Sequence, residues 1–208
     1  MNSTQVAKLL GAAQLAVILG NLMMDSLLTP AVRGSNISEV LVNIYQNISR
    51  VRISNLVALA QTLAIIILGI FYYLLLTKQS QPAAMLALGC FALAAFSLII
   101  SKIGMSSLIP LSQDYLSAGL PETGNYYSLG KFLYFGIEKR GTEIHMLFLA
   151  LGFLLTNYLF YTSRMIPRAI SIWGLVAISL LLIPTVLALY DREFLPGTVL
   201  LALPYAPY

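Results

Sequence analysis

Charged residues are scarce in this chain of 208 residues. Asp, Glu, Lys and Arg make up 10% of it, whereas hydrophobic residues make up 59%. The mean hydropathy is +0.84. A soluble domain contains about 25% charged residues, and a soluble protein this apolar would expose large adhesive patches. The composition therefore excludes an ordinary soluble domain and predicts a protein whose solvent is lipid.

Cysteine and histidine are also nearly absent. Cys90 is the only cysteine, which excludes an intramolecular disulfide, and His145 is the only histidine, which excludes a haem held by two histidines of this chain. The net charge is +4, but the basic residues stand at the ends of apolar runs, so no nucleic-acid partner is expected. The chain has no Gly-rich phosphate loop, HExxH, GxSxG or Cys/His cluster, and no cofactor is expected.

Five apolar runs are long enough to cross a bilayer. About 20 helical residues span a hydrocarbon core of roughly 30 Å. We therefore predict an all-α fold, a polytopic transmembrane helical bundle in which residues 1–208 form a single membrane domain. The predicted spans lie at about residues 6–28, 53–77, 83–108, 142–161 and 168–190.

Two further segments are too polar to cross. Apolar residues recur at helical spacing over about residues 38–50 and 125–137, which predicts short interfacial helices. The two short turns on the side of the N-terminus carry Lys78, Arg164 and Arg168 and no acid. Because basic residues beside short loops favour the cytoplasm, we predict a cytoplasmic N-terminus.

Polar residues within the spans are the first functional candidates, because a charge in hydrocarbon is costly unless it is paired or wetted. One interpretation is structural: Asp25 reaches water near a helix end, and Lys102 extends to the membrane surface. The alternative is a polar cavity around Asp25, since three polar residues share one face of the first helix. The candidates for this cavity are Gln14, Asn21, Asp25, Gln61, Lys102 and Asn157.

His145 is the second candidate. Glu138 and Glu143 are near it in the sequence, and a histidine with carboxylates can bind a metal or relay a proton. The spacing matches no recognised ligand motif, so these three residues are weak metal candidates and no metal is predicted. The competing interpretation is a histidine that is hydrogen-bonded at a helix start.

Two stretches resemble a known family. Residues 163–175 read SRMIPRAISIWGL between two apolar runs, and residues 111–129 read LSQDYLSAGLPETGNYYSL. Both are similar to the bacterial membrane family catalogued as domain of unknown function 4386, over most of the chain. The resemblance implies six helices, a bacterial inner membrane and no assigned activity. We expect its sixth helix to be missing here, because residues 196–208 are too short and proline-rich to span. The stretch 89–100 also lacks the arginine and glutamate that the resemblance implies for the third helix.

Three functional hypotheses remain. The first is a non-enzymatic bundle that binds membrane lipids or other membrane-protein subunits, as an accessory subunit of a complex would. The second is a small-molecule transporter or binder with a polar cavity around Asp25. The third is an intramembrane enzyme or metalloprotein that uses His145.

Overall fold

The computed structural model describes residues 3–119 and 124–190, and within these ranges the chain is helical and contains no strand. The predicted all-α fold is confirmed. The elements in chain order are α1 (Ser3–Ala31), α2 (Ile37–Gln46), α3 (Ile48–Leu76), α4 (Gln81–Ser117), α5 (Asn125–Lys131), a π-helical segment (Phe132–Lys139), α6 (Arg140–Ser163) and α7 (Arg168–Tyr190).

Five helices are long and apolar enough to cross a membrane, as in a multi-pass membrane protein. They are α1, α3, α4, the continuous helix Asn125–Ser163 and α7. Each overlaps one of the predicted spans, and α3 ends one residue before its predicted end at 77. The number of spans is thus confirmed by length and composition. The prediction that the sixth helix is missing concerns residues 196–208, which lie outside the described residues.

The helices extend beyond the spans that hydropathy marks. α4 contains 37 residues, which corresponds to about 55 Å and exceeds the hydrocarbon thickness. It continues through Pro110 to Ser117, nine residues past the predicted end at 108. Hydropathy locates only the part of a helix that lies in hydrocarbon, whereas backbone hydrogen bonds continue the helix into the polar region.

The two short helices also differ from their predicted bounds. The helix predicted over 38–50 ends at Gln46, because Asn47 leaves the helical conformation and a new helix starts at Ile48. The helix predicted over 125–137 has no break before the next span, because the π-helical segment joins α5 to α6. A π-helical turn absorbs extra residues without breaking a helix, and hydropathy cannot detect it.

The described residues divide into two compact units. The aromatic unit is drawn from Met1–Ala13, Ile65–Ala95 and Glu143–Tyr208, and the polar unit from Gln14–Ala64 and Phe96–Thr142. Within the aromatic unit, Tyr72 and Phe91 stack at 5.7 Å, and Phe153 meets Phe91 edge-on at 5.2 Å. A Cβ at Gly69 or Gly152 would lie 3.0–3.1 Å from Phe91, so small residues let the helices close around this ring.

The core of the polar unit surrounds α2. Ile37, Leu41 and Ile44 share one face of α2 and are fully buried, together with residues of α4 and the π-helical segment. Asn36 precedes the helix as its N-cap, and its side-chain oxygen accepts a hydrogen bond from the backbone N–H of Glu39 at 2.9 Å. This N-cap satisfies one of the unpaired donors of the first turn. The apolar face of α2 therefore packs on protein.

Candidate functional site

A buried ion pair lies inside the polar unit. Lys102 Nζ on α4 is 3.5 Å from Glu138 Oε1 on the π-helical segment, and the two side chains are 4% and 8% exposed. A buried charge is tolerated only when an opposite charge compensates it. The ammonium is thus held inside the protein, whereas the sequence also allows a lysine that extends to the membrane surface.

Two glycines set the distance between the helices that carry this pair. A Cβ at Gly104 would lie 2.8 Å from Ile137, and a Cβ at Gly141 would lie 2.9 Å from the backbone of Ser101. The hydroxyls of Ser101 and Thr142 are 3.0 Å apart. Backbones approach this closely only where a side chain is absent. The glycine contacts therefore fix the ion pair from both sides.

A groove opens beside Lys102, with a volume of about 420 Å³, within the range of small-molecule sites. At its wall, Asn55 Nδ2 donates a hydrogen bond to Ser106 Oγ at 3.0 Å. Asn55 is 8% exposed, and its Oδ1 is buried without a hydrogen-bond partner. We call this the α3–α4 groove. Its lining residues are Asn55, Leu59, Ile99, Lys102, Ile103, Ser106, Ser107 and Pro110.

The groove combines a few polar groups with apolar walls. Lys102 supplies a cation, Asn55 supplies an unsatisfied acceptor, and Ser106 supplies a hydroxyl. The side chains of Leu59 and Ile103 are exposed beside them. A buried polar atom without a partner costs about 1–3 kcal/mol. Lys102, Asn55 and Ser106 thus form a polar wall beside apolar side chains.

The chain matches the family model described as "Domain of unknown function (DUF4386)" over residues 9–207. The chain belongs to this DUF4386 family. The match confirms the resemblance predicted from the sequence. No curated protein matches the chain, and no solved structure matches it. Because the family description assigns no activity, the function of this DUF4386 protein has to be argued from its side chains.

The structure connects four of the six polar residues predicted to line a cavity. Gln61 Nε2 donates to Asn21 Oδ1 at 2.6 Å, and Asp25 interacts electrostatically with Lys102. Asp25 is exposed and Gln14 is half-buried on α1. Lys102 is the member of this set that lines the α3–α4 groove. Four polar residues of this DUF4386 protein thus form two pairs, and Asp25 is not among the residues that line the groove.

The sequence interpretation missed Asn55 and Ser106, and it assigned Lys102 and Glu138 to two different sites. Ser106 follows Lys102 by four residues, so the two share a helix face. The spacing of Lys102 and Ser106, together with Asn55 near the start of an apolar run, could have indicated a shared polar site. The pairing across helices was not accessible, because it depends on the π-helical turn that orients Glu138.

His145 belongs to the aromatic unit of the DUF4386 chain. It is buried, and its Nδ1 lies 2.9 Å from the backbone oxygen of Ala94. Over residues 3–119 and 124–190, no three His, Cys, Asp or Glu side chains form a group that could hold a metal ion. The structure therefore does not bring His145, Glu138 and Glu143 together as ligands. Asn157 donates to the backbone oxygen of Phe153 in its own helix.

A second, more polar cleft lies beside α2 in the polar unit. Its volume is about 750 Å³. Glu39 lines it and accepts hydrogen bonds from Ser35 N at 2.7 Å and Ser35 Oγ at 3.0 Å. Both bonds favour the carboxylate and lower the pKa of Glu39 below its ordinary value of 4.5. The carboxylate therefore acts in helix capping. The cleft is lined by Asn36, Ser38, Glu39, Val42, Asn43, Tyr115 and Tyr127.

Proposed function

We propose that this protein is a non-enzymatic, multi-pass membrane protein that binds a membrane lipid in the α3–α4 groove. We place it in a bacterial inner membrane with a cytoplasmic N-terminus. The observation that carries the proposal is the buried Asn55 Oδ1, an acceptor without a partner at the wall of the groove. Such an atom supports a ligand because an unsatisfied buried acceptor is costly.

The position of the groove along α3 supports a lipid. Arg50 and Arg52 are exposed in the first turns of α3, where basic residues contact headgroups. Asn55 follows Arg52 by three residues, about 4.5 Å further along the helix. The polar wall of the groove thus lies close to headgroup level, and the exposed Leu59 follows one turn deeper.

The contacts of the groove serines support binding rather than catalysis. Ser106 Oγ accepts a hydrogen bond from the Asn55 amide, and Ser107 Oγ donates to the backbone oxygen of Ile103. A nucleophilic serine requires an adjacent general base. Neither contact provides one, and Lys102 is engaged by Glu138.

The proposal is tested by lipid analysis of the full-length protein, extracted from its membrane in native nanodiscs. We expect one lipid class to be enriched over the surrounding membrane, and we expect Asn55→Leu to abolish the enrichment. Asn157→Leu is the matched control, because Asn157 bonds only within its own helix. Equal lipid composition in the wild type and in Asn55→Leu would refute lipid binding in the groove.

A second candidate function is transport through a polar cavity. It is favoured by Gln61, which is 2% exposed and keeps a buried Oε1 without a partner beside Asn21. In a Cys90→Ala background, Asn21→Cys should then react with a water-soluble maleimide in membranes. Leu22→Cys is the unreactive control, because Leu22 is the neighbouring residue and is exposed on the apolar surface of α1. An unreactive Asn21→Cys would eliminate this candidate.

A further inference from the structure

The hydrogen-bonding groups of the α3–α4 groove specify the chemistry of its ligand. A lysine ammonium carries three donors, and Glu138 approaches Lys102 through one oxygen at the long distance of 3.5 Å. The pair therefore leaves donor capacity on Lys102. Ser106 Oγ accepts from Asn55, so the proton of the Ser106 hydroxyl remains available. A cation and a hydroxyl donor on one wall favour an anionic oxygen ligand such as a phosphate.

Asn55 adds a second requirement. Its Oδ1 is buried and lacks a donor, so the ligand has to donate a hydrogen bond as well as accept them. An ammonium donor would lie close to the Lys102 cation and be repelled by it. A hydroxyl group meets the requirement without this repulsion. The ligand therefore carries a phosphate and a hydroxyl on the same headgroup.

The apolar walls supply the third requirement. Leu59 and Ile103 are 48% and 59% exposed, and both line the groove next to its polar groups. Exposed apolar side chains in a membrane-spanning helix contact acyl chains. A ligand that stays attached to its acyl chains would keep its headgroup at Asn55 and its tails along these side chains.

We infer that the occupant is an anionic phospholipid with a hydroxylated headgroup, of the phosphatidylglycerol type; this inference rests on the proposed function and names its ligand. The phosphate contacts the Lys102 ammonium and the Ser106 hydroxyl. A headgroup hydroxyl donates to Asn55 Oδ1 after the Asn55 amide turns towards the groove, since this oxygen is closed to solvent in the lipid-free protein. The closed Lys102–Glu138 pair holds the ammonium at the groove when the lipid is absent.

The test uses the full-length protein in nanodiscs of phosphatidylcholine that contain a minor amount of a second lipid. The second lipid is phosphatidylglycerol, phosphatidylethanol or phosphatidylethanolamine, and native mass spectrometry counts the lipid retained on the released protein. We expect phosphatidylglycerol to be retained about tenfold better than phosphatidylethanol, which has the same charge but no headgroup hydroxyl, since one buried hydrogen bond is worth about a factor of ten.

Three variants separate the contacts. Asn55→Leu should reduce the preference for phosphatidylglycerol over phosphatidylethanol to about twofold or less. The double variant Lys102→Gln/Glu138→Gln keeps a neutral hydrogen-bonded pair, and it should remove the preference for anionic lipids over phosphatidylcholine. Lys131→Gln, an exposed lysine outside the groove, should retain both preferences.

The outcomes distinguish the two proposals. Retention of no lipid of any class would overturn both the proposed function and its ligand. Retention of phosphatidylcholine or phosphatidylethanolamine as strongly as phosphatidylglycerol would leave lipid binding in place and overturn the ligand assignment. Equal retention of phosphatidylethanol and phosphatidylglycerol would overturn the role of Asn55 as the acceptor for a headgroup hydroxyl.

Discussion

At the scale of single residues, the Lys102–Glu138 pair places two opposite charges inside the polar unit. Both side chains are almost fully buried, so each charge depends on the other for compensation. Attraction within such a pair roughly offsets the loss of hydration, whereas removal of one partner leaves an isolated buried charge. The free energy of unfolding should therefore fall when one charge of the pair is removed and change much less when both are removed.

Lys102→Met should lower the free energy of unfolding by about 3–5 kcal/mol, because Glu138 is left without a cation. The double variant Lys102→Met/Glu138→Leu should recover most of this loss, because no charge remains to be compensated. Equilibrium unfolding in mixed micelles measures both values, with the exposed Lys78→Met as control. A double variant as unstable as the single one would show that the charges do not compensate each other.

Glu39 makes the start of α2 sensitive to acid. The hydrogen bonds from Ser35 lower the pKa of this carboxyl below 4.5. A group with a lowered pKa contributes its stability above its unfolded pKa, and that contribution is lost as the pH falls through the folded value. The protection factors of amide exchange in the first turn of α2, which are relative to the intrinsic exchange rate at each pH, should therefore fall on acidification below about pH 4.5. Glu39→Gln should show no such step, and the same step in that variant would assign it to another group.

At the scale of helices, two glycines allow α4 and the long helix Asn125–Ser163 to approach each other closely. Gly104 contacts the π-helical segment, and Gly141 contacts the backbone of Ser101. A π-helical segment within a long helix often marks a functional region. Here it turns Glu138 towards α4, so the geometry of the crossing and the geometry of the ion pair are linked.

Gly141→Ala should destabilise the protein by about 1–3 kcal/mol, because the new methyl group would lie 2.9 Å from backbone atoms that have to move. Gly104→Ala should cost less, since its nearest contact is the Ile137 side chain. Gly89→Ala, in the same helix as Gly104, meets nothing within 4 Å. It should be neutral or stabilising by up to about 1 kcal/mol. Thermal unfolding compares the three, and equal effects would show that close approach is not the cause.

At the scale of the whole molecule, composition and periodicity were sufficient to predict the all-α class and the five spans, whereas the family was predicted from the resemblance of residues 111–129 and 163–175. These properties depend on the solvent, which acts on every residue of a span. The partners of polar residues were not predictable, because they depend on contacts between distant helices. Lys102 pairs with Glu138 across 36 positions of the sequence, and Asn55 meets Ser106 across 51. Hydropathy gives no information about which helices face each other.

The proposed cytoplasmic N-terminus makes a prediction about the two ends of α4. With five crossings, the turn between α3 and α4 should share a side with the N-terminus, and Asn125 at the start of α5 should lie on the opposite side. Lys78 and the basic turn between α6 and α7 favour a cytoplasmic location for the side that holds the N-terminus.

An impermeant maleimide should therefore distinguish two exposed positions in intact cells. In a Cys90→Ala background, Asn125→Cys should be labelled from outside, whereas Gln79→Cys should be labelled only after permeabilisation. Cys90→Ala alone is the unlabelled control. The reverse pattern would place the N-terminus outside and preserve the five crossings. Labelling of both positions from the same side would contradict the five crossings, because α4 lies between Gln79 and Asn125 and should cross the membrane once.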